Sequence, residues 1–245
     1  MTTARVMVPV LTLMNANGSV DEGACAAYAE RAGATWLDLF LVSGTIGGGE
    51  SSTPVVRRRV LELWAARVPK DRLLACVWTP DDLTHAADSG VRPIVVLRDL
   101  ADAAAMHSVL AELPADAFVY SHPNYTPTTF TPAVAEAAKR SGVRPAGGKI
   151  CKVSLDAVQS LRAATGDDFQ LYDGRCRHVA GSVRAGATGV VAVPLCTLPK
   201  DLPDRSDTDA MQLTIDRTQA LIDSTGAGAA RIAMLTDALI PRLST

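Results

Sequence analysis

No run of about 18 apolar residues, the length a membrane-spanning helix requires, occurs anywhere in the chain. An excess of positive charge is missing too. With 24 Lys and Arg against 26 Asp and Glu, net charge -2 and pI about 6.1, no basic surface large enough to hold a nucleic-acid backbone is expected. Nucleic acid and membrane are therefore not expected partners. The five cysteines, Cys25, Cys76, Cys151, Cys176 and Cys196, are odd in number and include no Cys-x-x-Cys pair, which argues for reduced thiols over a disulfide framework or a zinc site. Four scattered histidines give metal ligation no support. The opening "MTTARVMVPVLTLMNANG" has one Arg and a short apolar run that soon meets Asn and Gly, unlike a signal peptide, so the expectation is a soluble, cytoplasmic protein.

What the chain does have is length for a large core, 245 residues with 48% apolar, and a repeating alternation. Short β-branched runs fall at 5–13, 36–42, 72–78, 93–97, 117–120, 145–150, 169–172 and 189–193. Between them lie segments of helical period, several opening on Ser, Thr or Asp, carrying Pro just inside the start and stopping at Gly. Eight near-continuous apolar strands alternating with helices predict a parallel sheet covered on both faces, closed as a (β/α)₈ barrel. A doubly wound open sheet is the alternative. Residues 1–205 are read as the barrel and 206–245 as C-terminal helices packed on it, one domain overall; 195–210 reads as a long loop.

In such a barrel, chemistry belongs at the C-terminal ends of the strands. That rule selects "SGTIGGGESS" after strand two, Arg98 and Asp99 after four, Tyr120, Ser121 and His122 after five, Lys149 and Lys152 around six, and Asp173, Arg175 and Arg177 after seven. Two lysines in the buried-looking stretch "RPAGGKICKVS" need explaining, because lysine is rarely buried unless paired or employed. Side chains alternate along a strand, so if Ile150 packs on the helices, Lys149 points into the barrel, and Gly147 and Cys151 leave room beside it for the side chain or a ligand. Lys152 then lies at the strand end near solvent. Low dielectric disfavours an ammonium, and a neutral amine is the species that condenses with a carbonyl, which makes Lys149 the candidate nucleophile. The competing reading is a surface lysine in a wrongly drawn strand.

These residues carry a resemblance. "YSHP", starting at Tyr120, and "GGK", ending at Lys149, resemble the Tyr-x-x-Pro and Gly-x-Lys stretches of strands five and six in the dihydrodipicolinate synthase and N-acetylneuraminate lyase family, and "SLDAVQSLRAATGDDFQLYDG" continues that pattern. "LTLMNANGSVD", with Thr12, resembles the family's first strand and helix entry; "SGTIGGGESS" resembles its Gly-Thr-Thr-Gly-Glu loop. The resemblance implies a (β/α)₈ class I aldolase that binds pyruvate or another 2-oxo acid as a Schiff base, needs no metal or organic cofactor, takes an aldehyde as second partner and forms a homo-oligomer. It implies that Lys149 forms the imine, that Tyr120 relays protons, and that Thr45, with Ser43 and Gly44, binds the carboxylate.

The departures are also informative. Ile46 stands where the family has a second threonine, and "GGG" precedes Glu50. The family tyrosine supplied after strand four across a subunit contact has no counterpart in "IVVLRDLADAAAM". An arginine expected after "YSHP" is replaced by "NYT", with Tyr125, which argues against synthesis of dihydrodipicolinate itself. Arg98, Arg175 and Arg177 are candidates for an anionic acceptor, or ordinary surface arginines; His122 is a candidate acid or base, or a loop histidine bonded to backbone. Cys151 and Cys176 read as small packing residues. A Schiff-base dehydratase of a sugar acid, and a noncatalytic relative that binds a 2-oxo acid, remain open beside the aldolase.

Overall fold

Strands with apolar residues on both faces must be covered on both, and here the sheet achieves this by closing on itself. A computed structural model of the chain describes residues 3–226 and 228–243. Its strands β1 (Arg5–Pro9), β2 (Leu39–Val42), β3 (Leu73–Val77), β4 (Arg92–Val96), β5 (Phe118–Ser121), β6 (Gly147–Ile150), β7 (Gln170–Asp173) and β8 (Gly189–Val191) form one closed parallel barrel in chain order. All eight expected strands are present, and the open-sheet alternative is excluded because β1 pairs with β8.

The crossovers are α1 (Glu22–Gly33), α2 (Pro54–Ala65), α3 (Pro80–Ser89), α4 (Ala103–Ala111), α5 (Pro132–Arg140), α6 (Leu155–Thr165) and α7 (Val179–Arg184), followed by α8 (Thr208–Thr225) and α9 (Ala229–Leu243). Their starts are written in the sequence. The side chains of Asp21, Thr53, Asp102, Thr131, Ser154 and Asp207 each accept a hydrogen bond from the N–H three residues on, satisfying a donor that the first turn leaves free. Asp207 starts α8 inside the segment read as a loop.

The first strand is shorter than expected. Val10 N–H still donates to Leu41, but residues 11–13 leave the sheet, because the Leu13 carbonyl accepts from Asp21 and Met14 bridges Val20 on the way into α1. The barrel interior holds Met7, Leu39, Leu41, Leu74, Ile94, Phe118, Tyr172 and Val191, while Ile150, Val119 and Leu171 face the helices. Each such side chain contributes about 1.5–3 kcal/mol by leaving water. On the β1 side, Met211 and Ile215 of α8 and Leu235 and Leu239 of α9 join the layer of Val6 and Val8, so the C-terminal helices share the barrel's outer core.

Candidate active site

At the C-terminal end of β6 the alternation puts Ile150 among the helices and Lys149 inside the barrel, where it is 6% exposed and is the only buried lysine among the described residues. Its neighbours in register are Tyr120 on β5 and Tyr172 on β7. Lys149 Nζ lies 3.8 Å from the centroid of the Tyr120 ring, and no carboxylate pairs with it among the described residues. The sequence reading has Gly147 make room for this lysine, but a Cβ there would lie 2.5 Å from the Phe118 ring, so the vacant volume belongs to Phe118 instead. Space for a ligand opens in a cleft of about 460 Å³ lined by Lys149, Tyr120, Thr45, Ile46, His122 and Cys151, among others.

Thr45, at the start of the short turn Thr45–Gly47 after β2, ties the polar groups together. Its Oγ1 is 3.1 Å from the Tyr120 hydroxyl and 2.9 Å from that of Tyr125. A hydroxyl can donate once and accept twice, so the three oxygens form a continuous hydrogen-bonded chain. Burial pushes the Tyr120 phenol well above its ordinary value, and pushes Tyr125 up to about 12, so both hydroxyls stay protonated at neutral pH and can act as donors. Tyr125 is the residue that sequence reasoning passed over. Counted as a lost arginine, it returns from the β5–α5 loop, packs edge-on against Trp78, and supplies a second phenol within one chain.

A second missed feature holds Thr45 in place. Arg57 of α2 and Asp82 of α3, each 5% exposed, pair at 2.8 Å. Arg57 also donates to the carbonyls of Gly49 and Ser52 and to Thr79 Oγ1, while Asp82 Oδ2 accepts from the N–H groups of Trp78 and Thr79. The "GGGE" loop is thereby bolted to α3. Trp78 Nε1–H adds a bond to the Ser43 carbonyl at 2.8 Å, and Gly49 fits so closely that a Cβ would lie 1.7 Å from that same oxygen. The acidic third position of α3 marks a capping box that the sequence displays; the inward turn of Arg57 has no such signal in "RRR".

The remaining candidates divide. His122 lines the cleft, its Nδ1 accepting from Asn124 N–H, which leaves the proton of the neutral ring on Nε2. Ser43 and Gly44 do not line it; Ser43 is buried at φ 56, facing a small cavity with Arg57 and Asp82. Thr12 stands behind the loop, against Gly47, and also lies outside the cleft lining. Ser43 and Gly44 thus form the stem of the loop that carries Thr45, and Thr12 packs behind it. Arg98 is turned to its neighbour Asp99, itself at φ 56, and is absent from the cleft wall. Arg175 and Arg177 do line it, joined by Lys152 and by Arg231 of α9, which sequence reasoning did not select. Cys151 and Cys176 are buried thiols pushed above their ordinary value by burial, in keeping with packing roles. No group of three or more His, Cys, Asp or Glu side chains that could hold a metal ion occurs among the described residues.

Burial and the charges of Lys152 and Lys149 lower the His122 pKa from its ordinary 6.5. Folding thus favours the neutral ring; this contribution is present above pH 6.5 and is lost as pH falls through the depressed midpoint. An NMR titration of the His122 ring is expected to show a midpoint below 6.5. A midpoint at or above it would contradict this environment.

No family model matches the chain, and no curated protein matches it. Solved structures do. A 2-keto 3-deoxygluconate aldolase from Picrophilus torridus superposes with TM-score 0.76 at 15% identity, covering 97% of this chain and 93% of the other. A prophage protein of the dihydrodipicolinic acid synthase family from E. coli, in complex with pyruvate, gives 0.74 at 17% identity, with 97% and 87% covered. The 2-keto-3-deoxygluconate aldolase of Sulfolobus solfataricus, in complex with D-KDPG, gives 0.75 at 17%, with 95% and 84% covered. At these identities the likeness establishes what the barrel topology already states: the chain has the (β/α)₈ fold of these proteins.

Proposed function

We propose that the chain is a divergent member of the dihydrodipicolinate synthase and N-acetylneuraminate lyase family, a Schiff-base aldolase acting on pyruvate or a related 2-oxo acid. The observation that carries this reading is the buried, carboxylate-free Lys149 amine against the face of Tyr120 at the floor of the cleft. The 2-oxo acids bound by neighbouring structures point the same way.

In this reading the neutral Lys149 amine attacks the ketone carbon, and the resulting carbinolamine oxygen leaves as water after taking a proton from the Tyr120 hydroxyl. The protonated imine then acts as an electron sink. Loss of a proton from the adjacent carbon gives an enamine, whose carbon adds to an aldehyde; the aldehyde oxygen takes up a proton, and water finally hydrolyses the imine to free Lys149. Cleavage runs the same steps backwards. Protons return to Tyr120 through Thr45 and Tyr125, the connected hydroxyls described above. Thr45 and the amides beside it hold the substrate carboxylate.

Incubation with pyruvate and borohydride tests the reading. A stable mass increase mapped to Lys149 is the expected result, and no increase with a panel of 2-oxo acids would end it. Tyr120→Phe removes the proton donor but leaves the lysine, so turnover is expected to fall about 10²-fold while the equilibrium adduct still forms. Turnover equal to that of the unaltered protein would remove the assigned role.

A further inference from the structure

The cleft wall above Lys149 is strongly one-sided in charge. Lys152, Arg175, Arg177 and Arg231 line it together with a single carboxylate, Asp223, which pairs with Arg177 at 2.7 Å. Of the other three cations, Lys152 bonds the neutral Asn124 side chain, Arg175 stands 3.8 Å from Asp173, and Arg231 donates to the Gly226 carbonyl and shares the Asp223 charge with Arg177. Arg231 also occupies the first turn of α9, the helix end where a cation is disfavoured. Like charges gathered around a concave site repel unless an anion joins them, and guanidinium forks match phosphate and carboxylate oxygens. These cations follow β6 and β7 or come from α9, whereas Thr45 follows β2 on the opposite side of the closed barrel.

We infer that the substrate is anionic at both ends: one carboxylate beside the keto carbon, held at the Thr45 side, and a second anionic group, a phosphate ester or carboxylate, carried by the aldehyde half and held by Arg175, Arg231 and Lys152. This rests on the aldolase reading of the same cleft. It names the aldehyde that the sequence left unnamed as an acidic one. The bond made is unchanged: the enamine carbon joins the aldehyde carbon, and the aldehyde oxygen takes a proton.

The test measures kcat/KM for addition of pyruvate to D-glyceraldehyde 3-phosphate, succinic semialdehyde and neutral D-glyceraldehyde. At least one acidic aldehyde is expected to exceed the neutral one by about 100-fold, the size of one or two charged hydrogen bonds, and the better of the two identifies phosphate or carboxylate. In Arg175→Gln/Arg231→Gln that preference is expected to fall at least about tenfold, chiefly through KM. Arg98→Ala, outside the cleft, should leave the preference unchanged. Equal kcat/KM for all three aldehydes, or a preference untouched in the double variant, would overturn the inference. Borohydride trapping of pyruvate separates the two levels. An adduct without charge preference defeats only the anionic-aldehyde inference, while no adduct defeats the aldolase reading beneath it.

Discussion

Replacing Lys149 by Met is expected to abolish the borohydride-trapped pyruvate adduct and to lower turnover at least about 10⁴-fold, to near the uncatalysed rate. The magnitude follows from the chemistry. Without an amine there is no iminium to accept electrons from the reacting carbon, and neither the tyrosines nor the threonine can substitute for that covalent step. Methionine keeps most of the stem volume against the Tyr120 ring, so the fold should persist and thermal unfolding should show it. Lys149→Arg serves as a second variant, retaining charge while removing the nucleophile. Lys152 provides the internal comparison: it is exposed, at φ 56, and bonded to Asn124. An adduct that survives in Lys149→Met, or turnover within tenfold of the starting protein, would move the chemistry elsewhere and refute the assignment.

The largest stability effect is expected at Asp82. In Asp82→Ala the Arg57 guanidinium remains 5% exposed with no carboxylate beside it, and breaking such a buried pair costs about 3–5 kcal/mol. For a chain of this size that corresponds to a fall in Tm on the order of 10 °C. The same change frees the N–H groups of Trp78 and Thr79 and unbolts the Gly49 and Ser52 carbonyls from α3, so the Thr45 hydroxyl loses its fixed position as well. Removing both charged partners together, as Arg57→Leu/Asp82→Leu, should cost less than Asp82→Ala alone, since no unpaired charge is left behind. A Tm change within the error of measurement in Asp82→Ala would show that the pair is not the bolt described here.

The alternation of apolar strands and capped helices was enough to read the barrel, since each strand and most helix starts depend on local composition and on capping residues such as Thr53 and Ser154. The inward direction of Lys149 was legible for the same reason: a period of two along β6 ties it to the opposite face from Ile150. What the sequence could not display was contact across long separations. Tyr125 acquires its place only because the β5–α5 loop folds back onto Thr45, and Arg57, in a run of three arginines, looks like part of a solvated face until α3 presents Asp82. Ser43, named from the loop resemblance, and Arg98, left open between an anion contact and a surface arginine, both lie outside the cleft lining. Each lies at or beside a left-handed backbone turn just past its strand, at Ser43 and Asp99, and such a turn changes where the following side chains point.

The resemblance noted in the sequence implies a phenol lent by a neighbouring copy, whereas here both tyrosines that flank Thr45 belong to the same polypeptide. In the proposed reaction the hydroxyl relay from Tyr120 through Thr45 to Tyr125 therefore runs along one polypeptide.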